Sequence, residues 1–161
     1  SRGLGDVYKR QPESKELGYV GKPKKINKEK ILNFIKNKQI PIVVPLGLGD
    51  DGRIYNINAD VAAGSIAKEI DARRLLLMTD VEGVLDENQK LISEINLNRA
   101  NEMLKNNIIS GGMIPKINTC LDAISNGVRG VVIVDGRKPH SILFELFSDK
   151  GAGTLIRKWI I

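Results

Sequence analysis

The sequence predicts an α/β fold in which helices cover both faces of a mostly parallel sheet. Three observations carry this. Continuous apolar runs at 40–48 (IPIVVPLGL), 74–79 (RLLLMT) and 130–134 (GVVIV) read as strands buried on both faces. Segments between and around them place apolar residues at helical spacing. The two kinds alternate along the chain, which is the order that parallel strands joined by crossover helices require. In such sheets ligands collect beyond the carboxyl ends of the strands.

Taken in order, residues 1–11 (SRGLGDVYKRQ) show no sustained periodicity and read as a non-native leader outside the fold. The chain begins at Ser1 rather than Met, and it reads as a fragment truncated at its N-terminal side. Leu17 to Val20 is a short extended piece. Residues 27–38 form an amphipathic helix with Ile31, Leu32 and Ile35 on one face. After the strand Ile40 to Leu48, Asp51-Gly52 reads as a hairpin turn, with Arg53 to Ile57 returning. A helix follows from Ala59 to Ile70, with Asn58 as its N-cap. The strand 74–79 ends at Asp80. Residues 97–106 and 113–125 are helices, the second with Ile117, Cys120, Leu121 and Ile124 at helical spacing. The strand 130–134 ends at Asp135-Gly136. Pro139 to Phe147 is a helix, and Thr154 to Ile160 a closing strand.

The chain's 161 residues, 42% hydrophobic and 27% charged, suffice for one globular core. No stretch approaches the roughly 20 apolar residues of a membrane helix, and these residues show no n-region plus h-region pattern of a secretory signal. The single cysteine, Cys120, excludes an internal disulfide and favours a reducing, cytoplasmic setting. It falls on an apolar helix stripe, where packing explains it better than nucleophilic chemistry. The net charge of +6 raises the question of nucleic acid. The densest basic run (Lys22, Lys24, Lys25, Lys28, Lys30) has no interleaved aromatics to stack bases, so it reads as a solvated face. The positive balance equally suits a small anionic substrate.

The most informative string is Gly-Gly-Met-Ile-Pro-Lys at 111–116. Glycines admit an anion close to backbone N–H groups, a helix N-terminus carries partial positive charge, and Lys116 adds a full one. The same string is also an ordinary loop-to-helix joint, and it lacks the Walker spacing. In NINAD, Asn56 and Asn58 can bind a carboxylate or amide, and Asp60 can hold cationic side chains. Capping accounts for Asn58 and partly for Asp60, not for Asn56. Asp80 to Leu85 (DVEGVL) leaves a buried strand with a carboxylate and a glycine, as a nucleotide contact or as a plain turn. The only histidine, His140, starts a helix beside Pro139, and no Ser-His-Asp or Cys-His pairing is visible.

Together, NINAD, LMTDVEGVL, IISGGMIPKI and DGRKPHSILFELFSDKGAGTLI, in this order, closely resemble the acetylglutamate kinases of the amino acid kinase family. The resemblance covers roughly residues 14–161, including GYVG at 18–21. It implies an open three-layer α/β sandwich around a mainly parallel sheet, with residues 12–161 as the nucleotide-binding, carboxy-terminal part of the kinase domain. The implied reaction moves the ATP γ-phosphoryl group to the side-chain carboxylate of N-acetyl-L-glutamate, with Mg2+ accompanying ATP, in arginine biosynthesis. By this resemblance Lys116 and Asp60 are catalytic, the lysine stabilising the transferring group and Asp60 positioning the catalytic lysines. Asn56 and Asn58 bind the acceptor. Asp80, Val81, Glu82, Gly83, Val84 and Leu85 contact ATP, as do Ile108, Ile109, Ser110, Gly111, Gly112 and Met113. No metal is assigned protein ligands.

The carboxy-terminal string resembles arginine-inhibited members, in which His140, Glu145 and Gly151 match positions that bind L-arginine. The family also has a first strand with a glycine-rich loop and a second lysine, and these do not precede Leu17. This implies little kinase activity from these residues alone. Relatives that phosphorylate acetylaminoadipate, aspartate or carbamate are the neighbouring alternatives, and a non-catalytic nucleotide- or arginine-binding module is the alternative of a different class. Full-length members often form homo-oligomers; nucleic acid and membranes are not implied as partners.

Overall fold

The structure is a computed structural model, and it describes residues 5–9 and 18–159. The chain divides into two compact units, Ser1–Ile70 and Asp71–Ile161.

In the first unit, β1 (Gly5–Lys9), β2 (Val20–Ile26), β3 (Leu46–Gly49) and β4 (Ile54–Ile57) close into a barrel in the order β1-β2-β4-β3. β1 pairs antiparallel with β2 and parallel with β3; β2 and β4 run parallel, and β3 and β4 antiparallel. β1 therefore lies within a segment that periodicity placed outside the fold. Its residues, GDVYK, set Val7 and Tyr8 side by side between charged residues, so neither alternation nor an apolar run announces a strand. The extended piece expected to end at Val20 begins there instead and runs on through the basic run to Ile26; Leu17 lies outside the described residues. Lys22, Lys24 and Lys25 are exposed, and Lys24 pairs with Asp50 at 3.0 Å.

Helix α1 (Lys28–Lys36) starts where Asn27 Oδ1 accepts the Lys30 N–H at 3.0 Å. Of its predicted face Ile31 is buried, whereas Ile35 is 47% exposed. The strand expected at Ile40–Leu48 is corrected more strongly. Only Leu46–Gly49 pairs, and Ile40 and Ile42 are 91% and 92% exposed. Pro41 and Pro45 have no N–H to give to a ladder, so an apolar run that hydropathy alone reads as a central strand meets β4 before Leu46 only through the Pro45 carbonyl, which accepts the Ile57 N–H at 2.9 Å.

The hairpin at 50–53 is as expected, with Leu46 opposite Asn56 and Leu48 opposite Ile54. Buried Tyr55 packs so closely on Gly49 that a Cβ there would stand 2.5 Å from its ring. The Tyr55 hydroxyl donates to Asp51 at 2.8 Å, which lowers the Asp51 carboxyl and raises the tyrosine phenol. Helix α2 (Ala59–Glu69) begins at Asn58, whose Oδ1 accepts the Val61 N–H at 3.2 Å.

In the second unit, β5 (Leu75–Thr79), β6 (Glu94–Asn96), β7 (Gly130–Asp135) and β8 (Gly153–Arg157) form a sheet ordered β5-β7-β8-β6. β5/β7 and β6/β8 are parallel and β7/β8 antiparallel, so the α/β fold carries mixed sheets. β7 is internal and buried at all six positions. β5 is an edge, which is why Met78 is 47% exposed although the apolar run predicted burial on both faces. Helix α3 (Leu97–Lys105) is capped by Asn96 and buries Ala100 and Met103. Helix α4 (Met113–Ser125) buries Ile117, Cys120, Ala123 and Ile124.

Helix α5 (Ser141–Phe147) begins two residues later than Pro139 because His140 takes a left-handed conformation, φ 60°. It buries Ser141 and Glu145 and leaves Phe147 83% exposed. β8 begins at Gly153, where a Cβ would stand 2.0 Å from the Ile133 carbonyl oxygen; only glycine permits that approach to β7. Ile160, expected to end this strand, lies outside the described residues.

Candidate functional site

The carboxyl ends of β5 and β7 lie side by side, with Thr79 opposite Asp135. The chain leaving β5 is DVEGVL, and it meets the turn before α4 around a cavity of about 190 Å³. Its wall comprises Val81, Gly83, Val84, Leu85, Gln89, Ile108, Ile109, Ser110 and Met113. Eight of the twelve residues predicted to contact nucleotide are thereby brought to one place, although 22 residues separate Leu85 from Ile108. Asp80, Glu82, Gly111 and Gly112 lie in the same two segments, outside the wall itself. Gln89 was missed, because a glutamine in a polar turn gives no sequence signal.

Two features fix the first segment. Gly83 sits at φ 149°, and a Cβ there would stand 2.6 Å from Thr154 Oγ1 and 2.8 Å from Leu91 Cδ1. Val84 donates its N–H to Thr154 Oγ1 at 2.8 Å, and Ile92 donates to the Val84 carbonyl at 2.9 Å. In the second segment Gly111 adopts φ 56°, where glycine is favoured, and the Met113 and Ile114 N–H groups turn back on Ser110 and Gly111. Gly112 differs. Its φ is −65°, and a Cβ there would meet nothing within 4 Å. Neither backbone nor packing asks for a glycine at 112. Lys116 is half-buried in the first turn of α4, where Pro115, lacking an N–H, removes a donor that would otherwise be unpaired.

Beside the first segment is a charged cluster that sequence reasoning did not assign. Asp135 is 2% exposed and receives three bonds from Arg137: the backbone N–H at 2.9 Å, and Nε and Nη2 each at 3.0 Å. This holds the Asp135 carboxyl down to about 2 and raises the Arg137 guanidinium. Lys138 Nζ reaches Glu82 at 2.6 Å, and the Gly136 N–H bonds the Thr79 carbonyl at 2.8 Å.

Two further cavities, of about 490 and 420 Å³, flank the glycine turn before β8. The larger brings Glu145 and Gly151 together with Arg74, Glu94, Asp149 and Lys150, a mixed set of charges. The buried Glu145 carboxylate accepts the Ala152 N–H at 2.9 Å and pairs with Arg74 at 3.4 Å. Gly151, at φ 67°, leaves room for it; a Cβ would stand 2.7 Å from Glu145 Oε2. Pro139 and Ser141 line the smaller cavity, whereas His140 between them is exposed and makes no capping bond to α5. Arg74 was read only as the start of a strand; its pairing across 71 residues has no local signature.

The NINAD residues belong to the first unit. Asn58 is spent on capping α2, Asp60 is half-buried in the first turn of α2, and Asn56 stands exposed on β4 with its N–H on the Tyr19 carbonyl at 2.8 Å. Among the described residues no group of three or more His, Cys, Asp or Glu side chains could hold a metal ion, and no helix is long and apolar enough to cross a membrane.

The profile of the amino acid kinase family matches residues 4–135. The acetylglutamate kinase of Pelagibacter ubique is 60% identical over 146 residues, covering 91% of this chain and 51% of that protein. The acetylglutamate kinase of Clostridioides difficile is 51% identical over 158 residues, covering 96% of this chain and 54% of that one. The chain thus spans about half the length of the curated relatives it matches. Among solved structures, N-acetylglutamate synthase of Neisseria gonorrhoeae, complexed with coenzyme A and L-arginine, superposes with TM-score 0.85 at 23% identity, covering 99% of this chain and 38% of that one. At that identity the likeness speaks for the fold alone.

Proposed function

The chain belongs to the amino acid kinase family, and from that premise we propose that it supplies the nucleotide-binding part of an acetylglutamate kinase. The reaction moves the γ-phosphoryl group of ATP to the side-chain carboxylate of N-acetyl-L-glutamate. The observation that carries this reading is the cavity between Val81–Leu85 and Ile108–Met113, whose second segment runs on through the glycine pair to Lys116. Its apolar side chains suit a base, and the exposed glycine pair just outside its wall suits phosphate.

Phosphoryl transfer asks a protein mainly to position the groups and neutralise charge. Lys116, in the first turn of α4, supplies the cation for the transferring group, reinforced by the helix N-terminus. Gly112 leaves its backbone open to a phosphate oxygen. In the first unit, Asn56 serves the acceptor and Asp60 a cationic group of the reaction, while Asn58, its Oδ1 taken by the α2 cap, offers the acceptor only its amide nitrogen. Magnesium, which keeps much of its water and is held through phosphates and one or two carboxylates, enters with ATP. The larger cavity beside Gly151 takes L-arginine: its acidic side chains meet a guanidinium, and Lys150 meets a carboxylate.

The test is a chimera in which this chain replaces the matching half of the Pelagibacter ubique enzyme. ADP release that depends on acetylglutamate is the expected result. Release that depends instead on carbamate, aspartate or acetylaminoadipate, or no release from a folded chimera, contradicts the proposal.

A further inference from the structure

We propose that Thr154 is a positioning residue for the nucleotide segment, its buried hydroxyl fixing Gly83 and Val84 in the wall of the 190 Å³ cavity. The inference rests on the nucleotide reading of that cavity and adds to it a residue 70 positions away in sequence.

The geometry leaves the hydroxyl one orientation. Thr154 Oγ1 accepts the Val84 N–H at 2.8 Å and donates to the Ile92 carbonyl at 2.6 Å. Val84 and Ile92 are themselves joined, Ile92 N–H to Val84 carbonyl, at the base of a short hairpin in which Leu85 opposes Leu91. The hydroxyl therefore caps the open end of that hairpin and ties it to β8. It is 0% exposed, so no water can replace either bond.

The anchor is rigid. Thr154 opposes Ile133 in the β7/β8 ladder, and the preceding Gly153 is pressed against the Ile133 carbonyl. On the other side, Gly83 has no Cβ because the Thr154 hydroxyl occupies that space. The cavity wall at Gly83 and Val84 is thus set by the sheet and not by the loop itself. Valine has the shape of threonine but can neither accept the Val84 N–H nor donate to Ile92. Serine can do both.

The test is ATP binding by the 161-residue chain, followed by titration calorimetry with MgATP, for the unsubstituted chain, Thr154→Val and Thr154→Ser. Thr154→Val is expected to weaken ATP roughly fivefold or more, as loss of a buried backbone hydrogen bond predicts, while Thr154→Ser stays within about twofold. Equal affinity in the valine variant overturns the positioning role and leaves the nucleotide reading intact. No binding by the unsubstituted chain overturns both. Amide exchange in the unsubstituted chain decides independently of whether the valine variant folds. The Val84 amide is expected to be as protected as the β7 amides before ATP is added. A Val84 amide that exchanges freely until ATP binds overturns the inference.

Discussion

Gly112→Ala separates stability from ligand binding at the proposed phosphate site. The residue is the N-cap of α4 with φ −65° and ψ −12°, a conformation alanine adopts readily. A Cβ there meets nothing within 4 Å, so no packing term opposes it. Alanine gains in helix propensity and loses slightly as an N-cap, leaving a change below about 1 kcal/mol in either direction. For a chain of this size each kcal/mol moves Tm by about 2–4 °C, so Tm shifts by less than about 4 °C. Binding responds differently. A methyl group in the open space beside the 112 backbone displaces a phosphate oxygen from the N–H groups and costs one charge-assisted hydrogen bond, about 1.5–3 kcal/mol. That corresponds to a loss of roughly 10- to 150-fold in ATP affinity. The control is Gly111→Ala, where φ 56° makes alanine cost about 1–2 kcal/mol in the fold itself. Thermal melts and calorimetric titration with MgATP read both quantities. Unchanged ATP affinity in a folded Gly112→Ala variant refutes the reasoning, because the open space would then serve no ligand.

Other outcomes follow from the same geometry. In the active chimera, Lys116→Ala is expected to lower kcat by about 10²–10³ with nucleotide affinity changed less than about threefold; near-normal turnover removes the lysine from the chemistry. Arg137→Gln is expected to shift acid unfolding of the chain to higher pH. The Asp135 carboxyl is depressed to about 2 from 3.8, so its contribution is fully present above pH 3.8 and disappears as pH falls toward 2. An acid transition between pH 4 and 2 that the substitution leaves unmoved contradicts that. Gly153→Ala is expected to cost about 3 kcal/mol or more, because the Cβ meets main chain that cannot yield, and to lower Tm by roughly 6–12 °C or prevent folding. Glu145→Gln is expected to abolish L-arginine binding by the chain while sparing ATP; binding of both unchanged separates the larger cavity from arginine.

Elements whose own residues determine them were legible in the sequence. Asn58 and the helix behind it, the Asp51-Gly52 hairpin, and the buried β7 run all appear where local pattern puts them. The Ile40–Leu48 run misled because hydropathy registers side chains and is blind to the missing N–H groups of Pro41 and Pro45. β6 has three residues, too few for alternation to register, and β1 (GDVYK) has no alternation to read. The two segments proposed to hold nucleotide were visible as strings, but their meeting at one cavity depends on the chain between them, α3 included. Thr154, Arg74 and Asp135 were not visible as site-shaping residues, because each acts through a partner that only the tertiary fold brings near or through burial that sequence does not display.

Backbone amide shifts of the 161-residue chain, followed by NMR during titration with MgATP, test the central assignment most directly. Saturable shifts are expected at 81–85, 89 and 108–116, with the turn at 149–153 largely still. Shifts confined to that turn, or none at millimolar ATP, would contradict the assignment.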